Sequence, residues 1–456
     1  MTGALTAKDS IRRPAASAFA LLTGLSAALL TPLAAGAQDW IEYVDETSTR
    51  VVIDAAVGID DDQEKDLAAG DVDNDGDPDV VVARKLPFSN TGGLANVLLI
   101  NEDGVLTDRT ATLAPGFLDA TDDRDIALVD VDGDGRLDVV TVTTFGEQPR
   151  IYMNLGGDPW QGFALDGTRL PVFNPGPKFC SVGFGDVTGN GRPDLYFADY
   201  ENSLEDRLLI NDGDGFFSDE TATRLTPEMA ESVFGTDAEI HDMNGDGFND
   251  IVKNNASGNS PPPGSSPSAV RILYNDGSGH FDFMQLPYTI DPYMFEIADF
   301  NGDGRNDIFV VDDAQDAFLL NTGNDLNGRA TFSTDFVTNS PNTANFGGNT
   351  ESADLDKDGI LDIAVTDVDT DIPGCGRRLV LLRGEGVFPD VGYSDPLGGS
   401  TRPWTPNGTF DVVIIDVDGD AALDLFVGTC DGYQLFSGRV PSFFSDGFES
   451  GDTSAW

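Results

Sequence analysis

Seven Asp-rich nonapeptides recur along this 456-residue chain: DVDNDGDPD (71–79), DVDGDGRLD (130–138), DVTGNGRPD (186–194), DMNGDGFND (242–250), DFNGDGRND (299–307), DLDKDGILD (354–362) and DVDGDAALD (416–424). Their first aspartates are spaced 59, 56, 56, 57, 55 and 62 residues apart. A fixed period of this order marks a propeller, solenoid or array, in which each unit buries its core only against its neighbours. The text around each copy reads as four short strands. An apolar strand enters the nonapeptide, as in DIALV (125–129). A second leaves it, as in VVVA, VVTV, LYFA, IFVV, IAVT and LFVG. A third reads NVLLIN (96–101), RLLIND (207–212) or VRILYN (270–275). After a turn such as NDGDG (211–215), a fourth ends in an Asp-x-Thr pattern, as in FFSDET (216–221). The expected fold is all-β: a seven-bladed β-propeller of four-stranded antiparallel blades, closed into a ring because closure removes exposed sheet edges.

The template D-x-[DN]-x-[DN]-G-x-x-D sets oxygen ligands at positions 1, 3, 5 and 9. Calcium, a hard cation, takes about 6–8 oxygens at about 2.3–2.6 Å, from carboxylates and backbone carbonyls. Position 6 needs a turn that glycine allows. Position 7 can offer its carbonyl, so its side chain varies. The expected ligands are Asp71, Asp73, Asp75 and Asp79; Asp130, Asp132, Asp134 and Asp138; Asp186, Asn190 and Asp194; Asp242, Asn244, Asp246 and Asp250; Asp299, Asn301, Asp303 and Asp307; Asp354, Asp356, Asp358 and Asp362; and Asp416, Asp418, Asp420 and Asp424. Up to seven Ca2+ ions are expected, in loops between first and second strands. The loop at 186–194 has Thr188 and Asn190 where acids are expected, and the loop at 416–424 has Ala421 at the glycine position. Those two are expected to bind most weakly.

These motifs resemble the FG-GAP/VCBS-type repeats, the calcium-loop propellers also seen in integrin α-subunit heads. The resemblance covers roughly residues 40 to 440 and implies calcium loops on one face of a seven-bladed ring. Phe-Gly occurs at Phe234-Gly235 and Phe346-Gly347, but the Gly-Ala-Pro part is absent. Integrin-like adhesion therefore does not carry over. VDETSTRV (44–51) nearly repeats SDETATRL (218–225), so the N-terminal segment is expected to supply the outer strand of the last blade, with FFSDGF (443–448) as its rival.

There are 79 acidic residues against 26 basic ones, a net charge of −53. Only 24 of the acids sit at the four ligand positions, so the surface stays acidic even with every loop filled. This argues against nucleic acid and anionic membranes as partners; a monomer is expected. Lys8, Arg12 and Arg13 precede an Ala/Leu-rich stretch ending in Ala35-Gly36-Ala37. That pattern reads as a secretory signal peptide over 1–37, not a membrane-inserted anchor, and predicts a secreted, periplasmic or cell-surface protein. The propeller is expected over 38–440 and a tail over 441–456. Of three cysteines, Cys375 and Cys430 occupy equivalent hairpins of neighbouring units, where a disulfide is plausible in an exported protein. Cys180 reads as a buried apolar residue.

The two histidines, His241 and His280, are far apart and build no Ser-His-Asp, Cys-His or zinc-spaced set. Aligning the first strands gives a better candidate. Five residues before each first Asp stand Asp66, Asp125, Ser181, Asp237, Met294, Asn349 and Asp411. Three before stand Ala68, Ala127, Gly183, Glu239, Glu296, Glu351 and Val413. Side chains two apart share a strand face. Asp237, Glu239, Glu296 and Glu351 thus form a candidate acidic channel wall, set against the plainer reading of solvated or backbone-bonded acids. Trp404 is a candidate sugar-stacking platform. Two functional readings follow: a non-catalytic binding or display module for a glycan or protein, and a polysaccharide lyase or hydrolase. The fold does not decide between them.

Overall fold

A computed structural model describes residues 41–54, 63–86, 90–201, 204–256, 268–312, 315–337, 348–367, 378–384 and 408–439. The expected signal peptide, Trp404, Cys375, Phe346-Gly347, FFSDGF and the C-terminal tail lie outside them.

Seven small sheets stand in a ring, each with its first strand innermost. The inner strands run Glu64–Gly70, Asp123–Val129, Phe179–Gly185, Ala238–His241, Pro292–Ala298, Thr350–Ala353 and Thr409–Ile415, defining blades 1 to 7. Each is followed by its nonapeptide loop and an antiparallel second strand, for example Asp79–Lys85 in blade 1 and Asp194–Asp199 in blade 3. Both faces of a blade meet a neighbour, so the second strands are buried throughout and read as unbroken apolar runs. The core accordingly sits between blades, in seven separate clusters. One holds Val82 and Leu99 of blade 1 with Val413 and Phe426 of blade 7. Another holds Val140 and Ile151 of blade 2 with Phe179 and Phe197 of blade 3.

The N-terminal segment closes the ring. Glu42–Asp45 pairs antiparallel with Phe436–Arg439, the third strand of blade 7. The expected strand over 44–51 is shorter than its sequence suggests, because Thr47–Arg50 turns into one helical turn. So do Thr110–Leu113 and Thr221–Arg224. The recurring Asp-x-Thr explains why: Asp45, Asp108 and Asp219 accept the Thr N–H at 3.0, 2.9 and 3.1 Å and end the strand. After this turn Val51–Val52 runs parallel to the outer strand of blade 1, giving that sheet five strands rather than four. Blade 6 shows three strands among the described residues.

Candidate metal centres and channel

Each nonapeptide is folded around its own first carboxylate. In blade 2, Asp130 Oδ1 accepts N–H groups from Gly133 at 2.7 Å and Asp134 at 3.1 Å, and Oδ2 accepts from Gly135 at 2.9 Å. Such wrapping needs left-handed backbone at two positions. Position 6 is one, as expected; position 4 is the other, with φ of 73° at Gly133 and 61° at Asn74 and Lys357. Ala421 takes the left-handed position with φ of 70°, at a cost of roughly 1–2 kcal/mol. The position-5 side chain caps the next turn: Asp75, Asp134 and Asp420 accept the position-7 N–H at 3.0, 3.0 and 2.7 Å.

Positions 1, 3 and 9 converge. In four loops, carboxylate oxygens of these residues lie within 4.8 Å of one another: Asp71, Asp73 and Asp79; Asp130, Asp132 and Asp138; Asp354, Asp356 and Asp362; Asp416, Asp418 and Asp424. Each trio is able to bind a metal ion. These are the four fully acidic loops. The loop of blade 7 therefore assembles the same trio as the others despite Ala421. The loops of blades 3, 4 and 5 have Thr188, Asn244 and Asn301 at position 3 and build no such trio. Asp132 Oδ1, Asp354 Oδ1 and Asp307 Oδ2 are buried oxygens without a hydrogen-bond donor, as ligands awaiting a hard cation would be. Every position-9 aspartate is buried, and burial pushes Asp79, Asp250 and Asp362 up to about 7 and Asp138 to about 6. A bound cation would reverse that shift.

Position 9 also ties blades together, a role the sequence reading missed. Asp194 Oδ2 accepts from Val187 N at 3.0 Å, and its Oδ1 accepts from Asn211 N, at the end of the third strand, at 2.9 Å. Asn211 Nδ2 then donates at 2.7 Å to Val131 O, the position-2 carbonyl of the preceding blade. The same asparagine link joins Asn101 to Val417, Asn154 to Val72, Asn275 to Val187 and Asn321 to Met243, at 2.6–2.9 Å. The signal was present: an Asn ends the third strand in NVLLIN, RLLIN and RILYN.

The inner strands enclose a cavity of about 410 Å3 lined by Asp66, Asp125, Asp237, Glu239, Glu296, Glu351 and Asp411. The alignment at −5 and −3 thus names residues that do share one channel. Most of them bond the backbone of the next blade. Asp125 accepts from Val182 N at 2.7 Å, Asp237 from Phe295 N at 3.0 Å, Asp411 from Leu67 N at 2.7 Å and Glu351 from Ile414 N at 3.2 Å. Thr350 Oγ1 of the next blade donates to Glu296 at 3.2 Å. Asp66 instead accepts from Asn349 Nδ2 at 3.4 Å. Burial, reinforced by Asp125 and Asp411, holds Asp66 well above the ordinary carboxylate range, and burial pushes Glu296 and Asp411 up to about 7. His241 Nε2 lies 2.7 Å from Glu239 Oε2; burial opposes its charged form, but the Glu239 contact prevails and raises its pKa. Cys180 is buried as a thiol, and Cys430 is in a disulfide.

The description "FG-GAP-like repeat" matches residues 71–141, 186–253 and 299–365. No curated protein matches the sequence significantly. Similar solved structures include a lectin of Agrocybe aegerita that recognises non-reducing terminal N-acetylglucosamine, at 20% identity over 71% of this chain and 78% of that one, with a TM-score of 0.46. The V. cholerae biofilm matrix protein Bap1 is similar at 11% identity over 88% of this chain and 92% of that one, with a TM-score of 0.47. The three matched segments each span two neighbouring loops of the ring, on blades 1 and 2, 3 and 4, and 5 and 6, so FG-GAP-like repeats build this seven-bladed β-propeller.

Proposed function

We propose that this is an exported, calcium-binding propeller that serves as a non-catalytic binding or display module for a glycan or protein ligand. The observation that carries the reading is the fourfold convergence of three carboxylates at loop positions 1, 3 and 9, with undonated buried oxygens in the loops of blades 2, 5 and 6. All-oxygen donor sets suit calcium rather than a softer metal. Asp71, Asp73 and Asp79 and their three counterparts would hold the ions, which would neutralise loop charge and fix the loop face. Export rests on the N-terminal Lys8–Ala37 pattern and fits loops that fill where calcium is plentiful. The channel acids favour a module over a catalyst, since Asp125, Asp237, Asp411 and Glu351 are engaged by backbone N–H groups. Binding to glycan and protein arrays, in calcium and in chelator, tests the reading: retained ligand that is lost in chelator supports it.

One observation favours a second reading, a carbohydrate-active lyase or hydrolase. Glu296, which burial holds near 7, lines the same cavity as Glu239, which is paired with His241. A raised carboxyl beside a second carboxylate is an acid/base arrangement. Release of oligosaccharides from a polysaccharide panel, abolished by Glu296→Gln, would establish this reading over the first.

A further inference from the structure

The four carboxylate trios share a geometry but not a charge. We propose that the loop at 71–79 is the strong calcium site of the ring, and that arginines fixed against the acids of the other three loops hold those sites weak. The proposal rests on the calcium reading above. In blade 7, Arg50 Nη2 lies 2.9 Å from Asp418 at loop position 3. In blade 2, Arg169 Nη2 lies 3.7 Å from Asp132, also position 3, and Arg136 pairs with Asp134. In blade 6, Arg383 Nη2 lies 2.5 Å from Asp356 and 3.5 Å from Asp358. The loop at 71–79 differs. It carries a fifth acid, Asp77, and among the described residues no ion pair reaches it. Counting Arg136 and Arg169, Lys357 and Arg383, and Arg50 against their loops leaves formal charges of −2, −2 and −3 in blades 2, 6 and 7, against −5 in blade 1.

The reason for the exception is legible in the chain. Arg50 and Arg224 end the helical turns TSTR and TATR; in TATL the same place is Leu113. Arg50 and Arg224 set their guanidinium groups against Gly104 and Gly279 in the hairpin of the next blade, whereas at the third position the Leu113 carbonyl lies against Gly162 and its side chain packs against the cluster of Val72, Phe117 and Tyr152. Arg50, Arg169 and Arg224 are held by the next blade independently of any loop acid, whereas Arg383 of blade 6 is held by Asp356 and Asp358 themselves. Arg50 donates to Gly104 O at 2.9 Å and Arg169 to Asp214 O at 2.8 Å. Arg224 donates to Gly279 O at 3.0 Å although its own loop has Thr188 at position 3. A guanidinium anchored by the next blade is a fixed positive charge beside the ligands of a divalent cation. Ligand charge tunes calcium affinity in such loops, and one fixed charge at contact range is worth roughly tenfold.

The test is calcium titration of the stripped full chain and of Asp73→Asn, Leu113→Arg and Arg169→Gln, each checked for fold by circular dichroism. The expected wild-type curve has one tight step followed by a weaker class. Asp73→Asn removes the tight step, Leu113→Arg weakens it roughly tenfold, and Arg169→Gln, which brings the blade 2 loop to the charge of the blade 7 loop, strengthens one site of the weaker class roughly tenfold. Should Leu113→Arg not fold, the other two variants still decide the matter. A single uniform class of sites, or a tight step that survives Asp73→Asn, overturns the ranking and leaves the calcium reading standing. Failure of every variant and of wild type to take up calcium overturns the calcium reading itself.

Discussion

Asn211 measures what the repeated asparagine contributes. Its side chain is 1% exposed and makes four hydrogen bonds. Nδ2 donates to Val131 O at 2.7 Å and Pro193 O at 3.0 Å; Oδ1 accepts from Gly213 N at 2.9 Å and Gly215 N at 3.0 Å. Asn211→Ala leaves all four backbone partners in place and removes what satisfies them. A buried polar group left unsatisfied costs about 1–3 kcal/mol. Water entering the vacated space recovers part of that, so the substitution is expected to cost about 3–4 kcal/mol, near the upper end for single changes. For a cooperative unit of about 400 residues, the unfolding entropy at the midpoint is about 0.8 kcal/mol/K, so the melting temperature should fall by about 4–5 °C.

Scanning calorimetry in excess calcium reads this shift, and urea titration gives an independent free energy. Asn324→Ala is the control: its exposed Nδ2 makes one bond, to Asn244 O at 2.7 Å, and its loss should cost no more than about 0.5 kcal/mol. Asn211→Asp separates the two halves of the contact, since it keeps an acceptor for Gly213 and Gly215 but loses both donations, including the one to the preceding blade. If Asn211→Ala melts within about 1 °C of wild type, like the control, the inter-blade link is not what holds blades 2 and 3 together.

Chelator should lower the melting temperature markedly, because each site held at a hundredfold excess over its dissociation constant contributes about 2.7 kcal/mol; an unchanged melt after confirmed metal loss contradicts the calcium reading. Deleting residues 38–50 removes the outer strand of blade 7 and Arg50, exposing an edge; aggregation and a lower melting temperature are expected, and a monomer with an unchanged melt contradicts N-terminal closure. Burial holds Glu296 near 7, above an unfolded value of about 4.3, so the folded state binds the extra proton between those values. Its contribution to stability is therefore full below pH of about 4 and is lost as pH rises to about 7. Melts across this window in excess calcium should show a decline that Glu296→Gln flattens; an identical decline in the variant refutes the assignment.

Much of the ring was legible because the nonapeptides fix both a period and a register. Counting back from each first Asp names Glu239, Glu296 and Glu351, and these do line one cavity. What such counting does not reveal is the stagger of one inner strand against the next. That stagger puts Val182 N over Asp125 and Phe295 N over Asp237, and so turns channel acids into inter-blade links. Two features were visible but lay outside the ligand template. Position 2 is always apolar, from Val72 to Val417, and in every blade it is buried as the plug beneath the loop. Position 4 is glycine in five of seven copies because it shares the left-handed backbone of position 6. The DETSTR segment misled on length alone, since Asp45 ends the strand that its apolar neighbours begin.

The links and the metal loops are not separate devices. Position 9 belongs to both: Asp138 is one corner of a carboxylate trio, and its Oδ1 accepts the N–H of Asn154 at 2.7 Å. Asn154 reaches back to Val72 O, the position-2 carbonyl of the loop before it, and that residue's N–H is in turn held by Asp79 at 2.9 Å. A chain of hydrogen bonds thus runs from one candidate metal centre to the next through a single asparagine. Without a cation, the buried position-9 carboxyls either take up protons or repel their neighbours within the loop. Either outcome weakens acceptors that also hold the third strand of the same blade. Filling a loop would therefore act on the blade junction as well as on the loop face, and a strongly acidic chain can close a ring because part of its charge is placed where backbone N–H groups meet it.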